Sequence, residues 1–413
     1  MITSVVLCTA LAAASCNSGN GKNDQASDTA DSTAAVKDSV ASVVTESTMA
    51  KLSAALEGYS SVGSFHEGLA SVMKNGKYGF INKEGKLVIP CRYDNTGEGF
   101  CDGLVCAVLD DKTVFIDHEG TVVFENPYTF CSGYYSEGLM AVGVVNELSD
   151  SEDVDFLHYG KMGFLDTTGK MVIPADKYEL PIMEGPVYYS FSEGLCRQSA
   201  DSCTVFINKR GRVVVRCKGY AGDFHEDMAW FFDDSGQYGF IDRSGDVVIP
   251  CQFDAVGDFS EGLCWVQRGD KCGYIDKTGR AVIPLVYDVI ALYEDTEAME
   301  TLGSQFREGR CWLAKGGRFG CLDAQGNVII PFRYAPGYNP DSEWFEQAPV
   351  FDFHEGLARV WKDGKYGFVN RDGEEVFSCQ FDQAQDMSEG LAAVCRDDKW
   401  GYINAQGQCT MDN

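Results

Sequence analysis

From Tyr59 onward, apolar and polar positions alternate in short runs, each cut off by a turn signal. Leu69-Ala70-Ser71-Val72 and Tyr78-Gly79-Phe80-Ile81 have the two-residue period of half-buried strands. Between the second run and Leu87-Val88-Ile89-Pro90 stands Asn82-Lys83-Glu84-Gly85. Asn opens a type I turn there and Gly takes the left-handed position, which makes a hairpin connection. Gly79 sits where a side chain would block a close backbone approach. Pro90 has no amide hydrogen and so ends or bends the third run. The aromatic-Asp pair that follows, Tyr93-Asp94, is placed to begin a short fourth strand. One such meander of three or four strands is too small to be stable alone.

The pattern repeats. The phrase aromatic-x-Glu-Gly-Leu starts at Phe65, Tyr135, Phe191, Phe259 and Phe353, with looser copies at Phe100, Phe224, Phe306 and Met387. A second phrase follows each copy: K-Y-G-F-I-N at 77–82, Q-Y-G-F-I-D at 237–242, K-C-G-Y-I-D at 271–276, K-W-G-Y-I-N at 399–404 and relatives. Copies two and four degrade it to T-V-F-I-D (113–117) and T-V-F-I-N (204–208). A third phrase closes at Pro90, Pro174, Pro250, Pro284 and Pro331. The shortest spacings are 33–35 residues and the others stretch to 47–56. The predicted fold is all-β, a tandem array of about nine three- to four-stranded meanders over 57–413.

The string K-[W/Y]-G-[F/Y]-I-[N/D]-x-x-G-x-x-V-I-P resembles the WG repeat of bacterial proteins, over residues 59 to 413. Only Trp400-Gly401 keeps the literal pair; elsewhere Tyr, Phe, Met or Cys precedes the glycine. The resemblance implies an all-β repeat array with interaction roles, and no catalytic residues come with it. Whether the array closes is a separate question. A period near 34 and uneven spacing favour an open β-solenoid or superhelix over a closed, propeller-like ring of 40–45-residue blades. Against that, Tyr59-Ser60-Ser61-Val62 matches Phe253-Asp254-Ala255-Val256, so the chain opens on a part-repeat. A first strand that completed the last unit would close a ring.

The segment before the repeats has a different character. Val5 to Ala14 is apolar but too short to span a bilayer, and it ends in Ala13-Ala14-Ser15-Cys16. Residues 1–16 therefore resemble a bacterial lipoprotein signal, with Cys16 as the lipid-bearing residue. No Lys or Arg precedes the apolar run, and Ala13 stands where Leu is usual. Residues 17–56, rich in Ser, Thr, Asp and Ala, are expected to form a flexible tether. A patchy apolar spacing, Val36, Val40 and Val44 and then Met49, Leu52 and Leu56, allows a marginal helix near the repeats.

Composition removes several functions. A net charge of −28 excludes a nucleic-acid partner, which needs clustered Lys and Arg, and leaves the lipid as the only membrane contact. The 17 cysteines suggest disulfides or metal, but Cys91, Cys251 and Cys379 occupy one repeat position, and no Cys-x-x-Cys occurs. They are expected to be core thiols. His66, His225 and His354 fall at one repeat position, and a glutamate or aspartate recurs in every copy. Repetition of this kind assigns them to structure, since a catalytic group needs one special setting. No catalytic, cofactor or metal site is expected.

Specificity is expected in four inserts that break the period, 143–160, 179–190, 289–305 and 335–352. Tyr293 in the third and Tyr338, Trp344 and Phe345 in the fourth are the candidate contact residues, able to stack on a sugar or anchor a peptide. The expectation is a monomeric, lipid-anchored, non-catalytic envelope protein that binds a protein or glycan. The alternatives are an envelope hydrolase, with its site in a ring channel or between the inserts, and a structural spacer.

Overall fold

The computed structural model describes residues 44–128, 130–145, 160–179, 189–200, 203–289, 304–334 and 350–412. The signal segment with Cys16, the tether up to residue 43, and Tyr293, Tyr338, Trp344 and Phe345 lie outside the described residues.

The first unit pairs β1 (Ser61–His66), β2 (Leu69–Lys74), β3 (Lys77–Asn82) and β4 (Leu87–Tyr93) in that order, all antiparallel. The order recurs at 95–125, 130–179, 195–218, 220–253, 255–288, 310–334, 350–381 and 383–404, nine units among the described residues. In units four and seven only the hairpin bridge, Ser192 to Leu195 and Arg307 to Arg310, stands for the first strand among the described residues, and Asp288 pairs with Ala314 to join units six and seven in one sheet. The aromatic-Asp pair plays a different part from the one expected. Tyr93 ends β4, and the strand that follows, Asn95–Thr96, opens the next unit.

Between the third and fourth strands the glycine has one physical cause. Tyr78 pairs with Tyr93 and Phe80 with Ile89, so Pro90, Cys91 and Arg92 bulge out opposite the single Gly79. A Cβ on Gly79 would lie 2.4 Å from the Ile89 carbonyl oxygen and 2.7 Å from the Cys91 nitrogen. The bulge therefore demands glycine below it and tolerates proline within it. Units five, six, seven and eight pair in the same register around Gly239, Gly273, Gly320 and Gly367. Units two and four have Val114 and Val205 there and no proline, and their fourth strands run without that bulge. The hairpin expected at Asn82–Gly85 is present: Asn82 Oδ1 accepts from the N–H of Glu84 and of Lys86, and Gly85 has φ +74°.

Each unit packs its face on the next through a separate apolar core. Phe80, Ile89 and Tyr93 of unit one meet Phe100, Val105 and Val114 of unit two. Equivalent cores lie at every later junction, ending with Phe368, Phe377 and Phe381 of unit eight against Met387, Val394 and Ile403 of unit nine. An open array of nine units would have one junction fewer than it has units. A further core joins Leu391, Ala393 and Tyr402 of unit nine to Val62, Phe65 and Val72 of unit one. Tyr402 Oη donates to the Gly63 carbonyl at 2.7 Å, and the Phe65 and Tyr402 rings lie 5.1 Å apart. The favoured open solenoid is thus corrected to the alternative, a closed ring of radial units as in a β-propeller. Face packing at the last junction repeats the earlier ones, so the rotation per unit returns the chain to its start.

The closing device also differs from the one expected. β1 belongs to the first sheet and adds no strand to the ninth, whose order ends at Lys399–Asn404. Helix α1 (Glu46–Ala55) stands there instead, capped by Thr45 and with Met49 and Leu52 buried. Elsewhere the third-to-fourth-strand turn of one unit rests on the fourth strand of the unit before, as Gly279 rests on Ile249. In unit one the equivalent Gly85 rests on Lys51 and Ala55 of α1. Ser53 Oγ donates to the Thr410 carbonyl at 2.7 Å. Cys409 still bridges Ile403 and a 3-10 turn, Thr410–Asp412, follows it, so the helix stands where the rest of a fourth strand would run, within a stretch that composition assigned to the tether.

Candidate functional site

The repeated glutamates form a closed belt. In unit three, Ser136 and Leu139 exchange both backbone hydrogen bonds across Glu137-Gly138, and both central residues have positive φ, 52° and 82°. That is a two-residue hairpin of the I′ kind, where Asn-Gly or Asp-Gly is the usual choice. A glutamate in the left-handed region is uncommon and strained. Yet Glu67, Glu137, Glu193, Glu226, Glu261, Glu308, Glu355 and Glu389, with Asp102, all hold φ between 48° and 53°.

What keeps them there is the next unit. The Gly103 N–H donates to Glu67 at 3.1 Å, Gly138 to Asp102 at 2.7 Å and Gly194 to Glu137 at 3.0 Å. The chain of contacts runs on through Glu193, Glu226, Glu261, Glu308 and Glu355. It closes where the Gly68 N–H donates to Glu389 at 3.1 Å. These are charge-assisted bonds to backbone, stronger than neutral ones. In five units the residue after the one that opens the third-to-fourth-strand turn adds a cation to the carboxylate of the preceding unit, Lys83, Lys209, Arg243, Lys277 and Arg371, and in unit two His118 Nε2 stands 3.0 Å from Glu67. Thr167, Ala324 and Ala405 hold that position beside Asp102, Glu261 and Glu355 and bring no charge. The belt draws the first strands together, while every exposed large apolar side chain, Val247 at 56% among them, lies on a fourth strand. First strands are therefore innermost and fourth strands form the rim.

A second polar layer lies one residue ahead of the phrase aromatic. Asp223, Asp258, Asp352 and Asp386 hold this position in units five, six, eight and nine. Each faces a partner on the unit before. Arg197 Nε stands 3.3 Å from Asp223 Oδ1, and His225 Nε2 3.5 Å from Asp258. Ser304 Oγ donates to Asp352 at 2.8 Å, and Arg359 Nε to Asp386 at 2.7 Å. The Arg197–Asp223 pair is close but poorly aligned, since neither of those two atoms completes a hydrogen bond. Burial raises the Asp223 carboxyl to about 6, against the pull of Arg197, and burial also raises Asp258 and Asp352. The buried acids that influence one another, Asp223 with Asp258 and Asp352 with Asp386, occupy equivalent repeat positions and are partnered. Their arrangement is that of a layer repeated from unit to unit.

The raised carboxyl predicts a pH dependence. Asp223 binds its proton more tightly in the folded state than its ordinary 3.8, so this stabilisation is complete below about pH 4 and is lost as pH rises through about 6. Asp223→Asn removes the titration. Comparing urea unfolding of both forms at about pH 4 and about pH 8 should show the variant gaining about 3 kcal/mol on the native protein over that range. A difference that does not change with pH would show that Asp223 is not desolvated.

Of the other residues singled out, His66 lies against Gly99, where a Cβ would be 2.2 Å from its ring, and His354 lies 3.7 Å from Asp386. None of the 15 cysteines among the described residues is exposed. No cluster of His, Cys, Asp or Glu able to hold a metal occurs among the described residues. The belt was visible in the sequence only as repeated turn glutamates. The aspartate layer had a signal that went unread, Asp before the aromatic at 223, 258 and 352.

Models of the WG-containing repeat match residues 58–78, 78–112, 162–197, 238–272, 273–295, 319–335, 345–366 and 366–400, more than half of the chain. The chain belongs to the WG-containing repeat family. In six units the glycine of the WG-type pair is the one that lies beneath the bulge described above, whereas Gly401 of the literal Trp400-Gly401 pair lies against the Thr410 and Met411 side chains. No curated protein matches the sequence. Among solved structures, a eukaryotic initiation factor is similar with TM-score 0.53 and 12% identity, over 80% of this chain and 92% of that one. BamB from Moraxella catarrhalis has TM-score 0.39 and 10% identity, over 73% of this chain and 93% of that one. Apo AztD from Citrobacter koseri has TM-score 0.35 and 12% identity, over 83% and 91%. At such identities the likeness concerns fold alone. Family and fold together suggest a β-repeat protein of binding or scaffold type.

Proposed function

We propose that this WG ring is a non-catalytic, monomeric binding platform, held at the cell envelope by a lipid on Cys16, that receives a protein or glycan partner through its long inserts. The observation that carries this reading is the use made of the repeated polar residues. The turn glutamates, the cations beside them and the inner aspartates are spent on holding unit to unit. That leaves recognition to the parts that do not repeat, above all 289–305 with Tyr293 and 335–352 with Tyr338, Trp344 and Phe345. Rigid repeats that carry variable loops are a common basis for binding. The lipobox-like Ala13-Ala14-Ser15-Cys16 and the polar stretch after it support the anchor. No observation favours the hydrolase or the spacer over this reading.

The test is capture from the source cell's envelope extract, with the chain from residue 44 onward immobilised. Bait beginning at 57 would lack α1 and leave the ring's last junction uncovered. A control has 289–305 and 335–352 replaced by short turns. A partner that is retained by the first and lost by the second is the expected result. No partner on either bait would overturn the binding reading, and a partner held equally by both would move recognition away from the inserts.

A further inference from the structure

The rim of the ring is a set of sheet edges, and an edge with free N–H and C=O groups invites another strand. Six units blunt theirs with the bulge over the glycine, and in units one, three, five, six and seven a proline stands in it. Unit nine has only the Ile403–Cys409 bridge and a 3-10 turn where a fourth strand would start, with α1 beyond them. Two edges lack that bulge and keep only the register shift beside the turn that the other fourth strands share, which falls at Val213–Val215 in unit four. In unit two the edge is only Val122–Glu125, and its Glu125 is paired with Lys112 at 2.9 Å. In unit four it is Val213–Lys218, six residues long.

The unit-four edge also departs from the rest of the molecule in charge. Between 203 and 222 there is no acidic residue, in a chain of net charge −28, while Lys209, Arg210, Arg212, Arg216 and Lys218 all fall there. All five are exposed, as are Val213 and Val214 between them. Lys209 is committed to Glu137 of the belt, and Lys218 stands 3.8 Å from an Asp234 that is 99% exposed, a contact that screening leaves with little strength. Among the described residues, no carboxylate comes within ion-pair distance of Arg210, Arg212 or Arg216. Val215 and Cys217 point into the core shared with unit five, so Val214, Arg216 and Lys218 line the opposite face.

We propose that Val213–Lys218 is a docking edge for an extended acidic segment of a partner protein, which adds to unit four as a further strand. Backbone pairing would supply the affinity of such an addition, and side chains at alternate positions the selectivity. Acids at every second position of the incoming strand would stand beside Arg216 and Lys218, an arrangement that stabilises neighbouring strands. A second copy meeting the same edge would set Arg216 and Lys218 against like charge, which disfavours self-pairing. The proposal rests on the binding reading above and names one partner surface for it. It depends neither on the inserts nor on the anchor, so its failure leaves the capture experiment to judge that reading separately.

The probe is a capped synthetic peptide that alternates Glu and Thr over about seven residues, titrated against the full chain by fluorescence anisotropy. The native protein should bind it, and Arg216→Glu with Lys218→Glu should weaken binding at least tenfold. A Lys–Thr peptide should bind the double variant and not the native protein. The Glu–Thr peptide N-methylated at every residue, which keeps every charge and leaves neither backbone edge able to donate, should fail to bind. Equal binding of the methylated peptide would overturn the proposal in favour of a plain charged patch. No binding of the unmethylated peptide would overturn it outright. A native dimer that Arg216→Glu dissociates would overturn it too, assigning the edge to a second copy.

Discussion

Gly273→Ala is expected to cost about 3 kcal/mol of unfolding free energy, near the top of the range for overpacking substitutions. The added Cβ would lie 2.5 Å from the Ile283 carbonyl oxygen, 2.7 Å from that of Pro284 and 2.8 Å from the Pro284 carbonyl carbon. All three are backbone atoms of the bulge, so no side chain can turn aside to relieve the contact. The fourth strand would have to lift from the third or give up its bulge, which disturbs the Tyr274–Ile283 and Cys272–Tyr287 pairs that feed the core with unit seven. Gly257→Ala is the control. Its Cβ would meet only Trp265 Cβ at 3.8 Å, an ordinary contact, and its φ is not in the left-handed region. Urea denaturation of the two variants beside the native protein decides the matter. Equal effects would mean that the glycine of the WG pair is kept for some reason other than the strand above it.

The second large effect is expected at Leu52→Ala. Leu52 is fully buried in the core that closes the ring, with Met49 from the same helix and Val62, Phe65 and Tyr402 from the two end units. Truncating a buried leucine leaves a cavity and costs about 2–5 kcal/mol. Here the loss falls on one junction of the ring. Hydrogen exchange should therefore quicken first in units one and nine, with 61–93 and 383–404 losing protection ahead of 255–288. Uniform loss of protection around the ring would show that closure is not governed by this helix.

How far the fold was legible depends on the range over which each feature is determined. The Asn82–Gly85 turn and the glycine–proline signature of the bulge are local, and Asn82, Gly79 and Pro90 announce them directly. The helix was half legible. Met49, Leu52 and Leu56 have helical spacing, but the composition around them is that of a tether, and only contact with Tyr402 and Thr410 gives the helix a surface to bury against. Ring closure showed in the sequence only as the part-repeat at Tyr59–Val62, because it depends on a small rotation at each junction summed over nine of them, and no single residue type encodes that angle. The belt was hidden for a related reason. Glu137 finds its partner in the N–H of Gly194, 57 residues on, and a backbone donor leaves no mark in the sequence. Of the expected contact residues, Tyr293, Tyr338, Trp344 and Phe345 keep the standing they had as sequence.

The belt also bears on how such a molecule can change over generations. Every joint is built from the same two halves, a carboxylate offered forward and a backbone N–H of the next unit's turn that donates to it. A gene duplication that adds a unit, or a deletion that removes one, needs no newly invented surface, because the incoming copy carries both halves already. What it must satisfy is angular. Closed head-to-tail rings exist only where the rotation per joint divides a full turn, and otherwise the array spirals open. Copy number in this architecture is thus chemically free and geometrically policed, and a helix that covers the final joint absorbs what error remains.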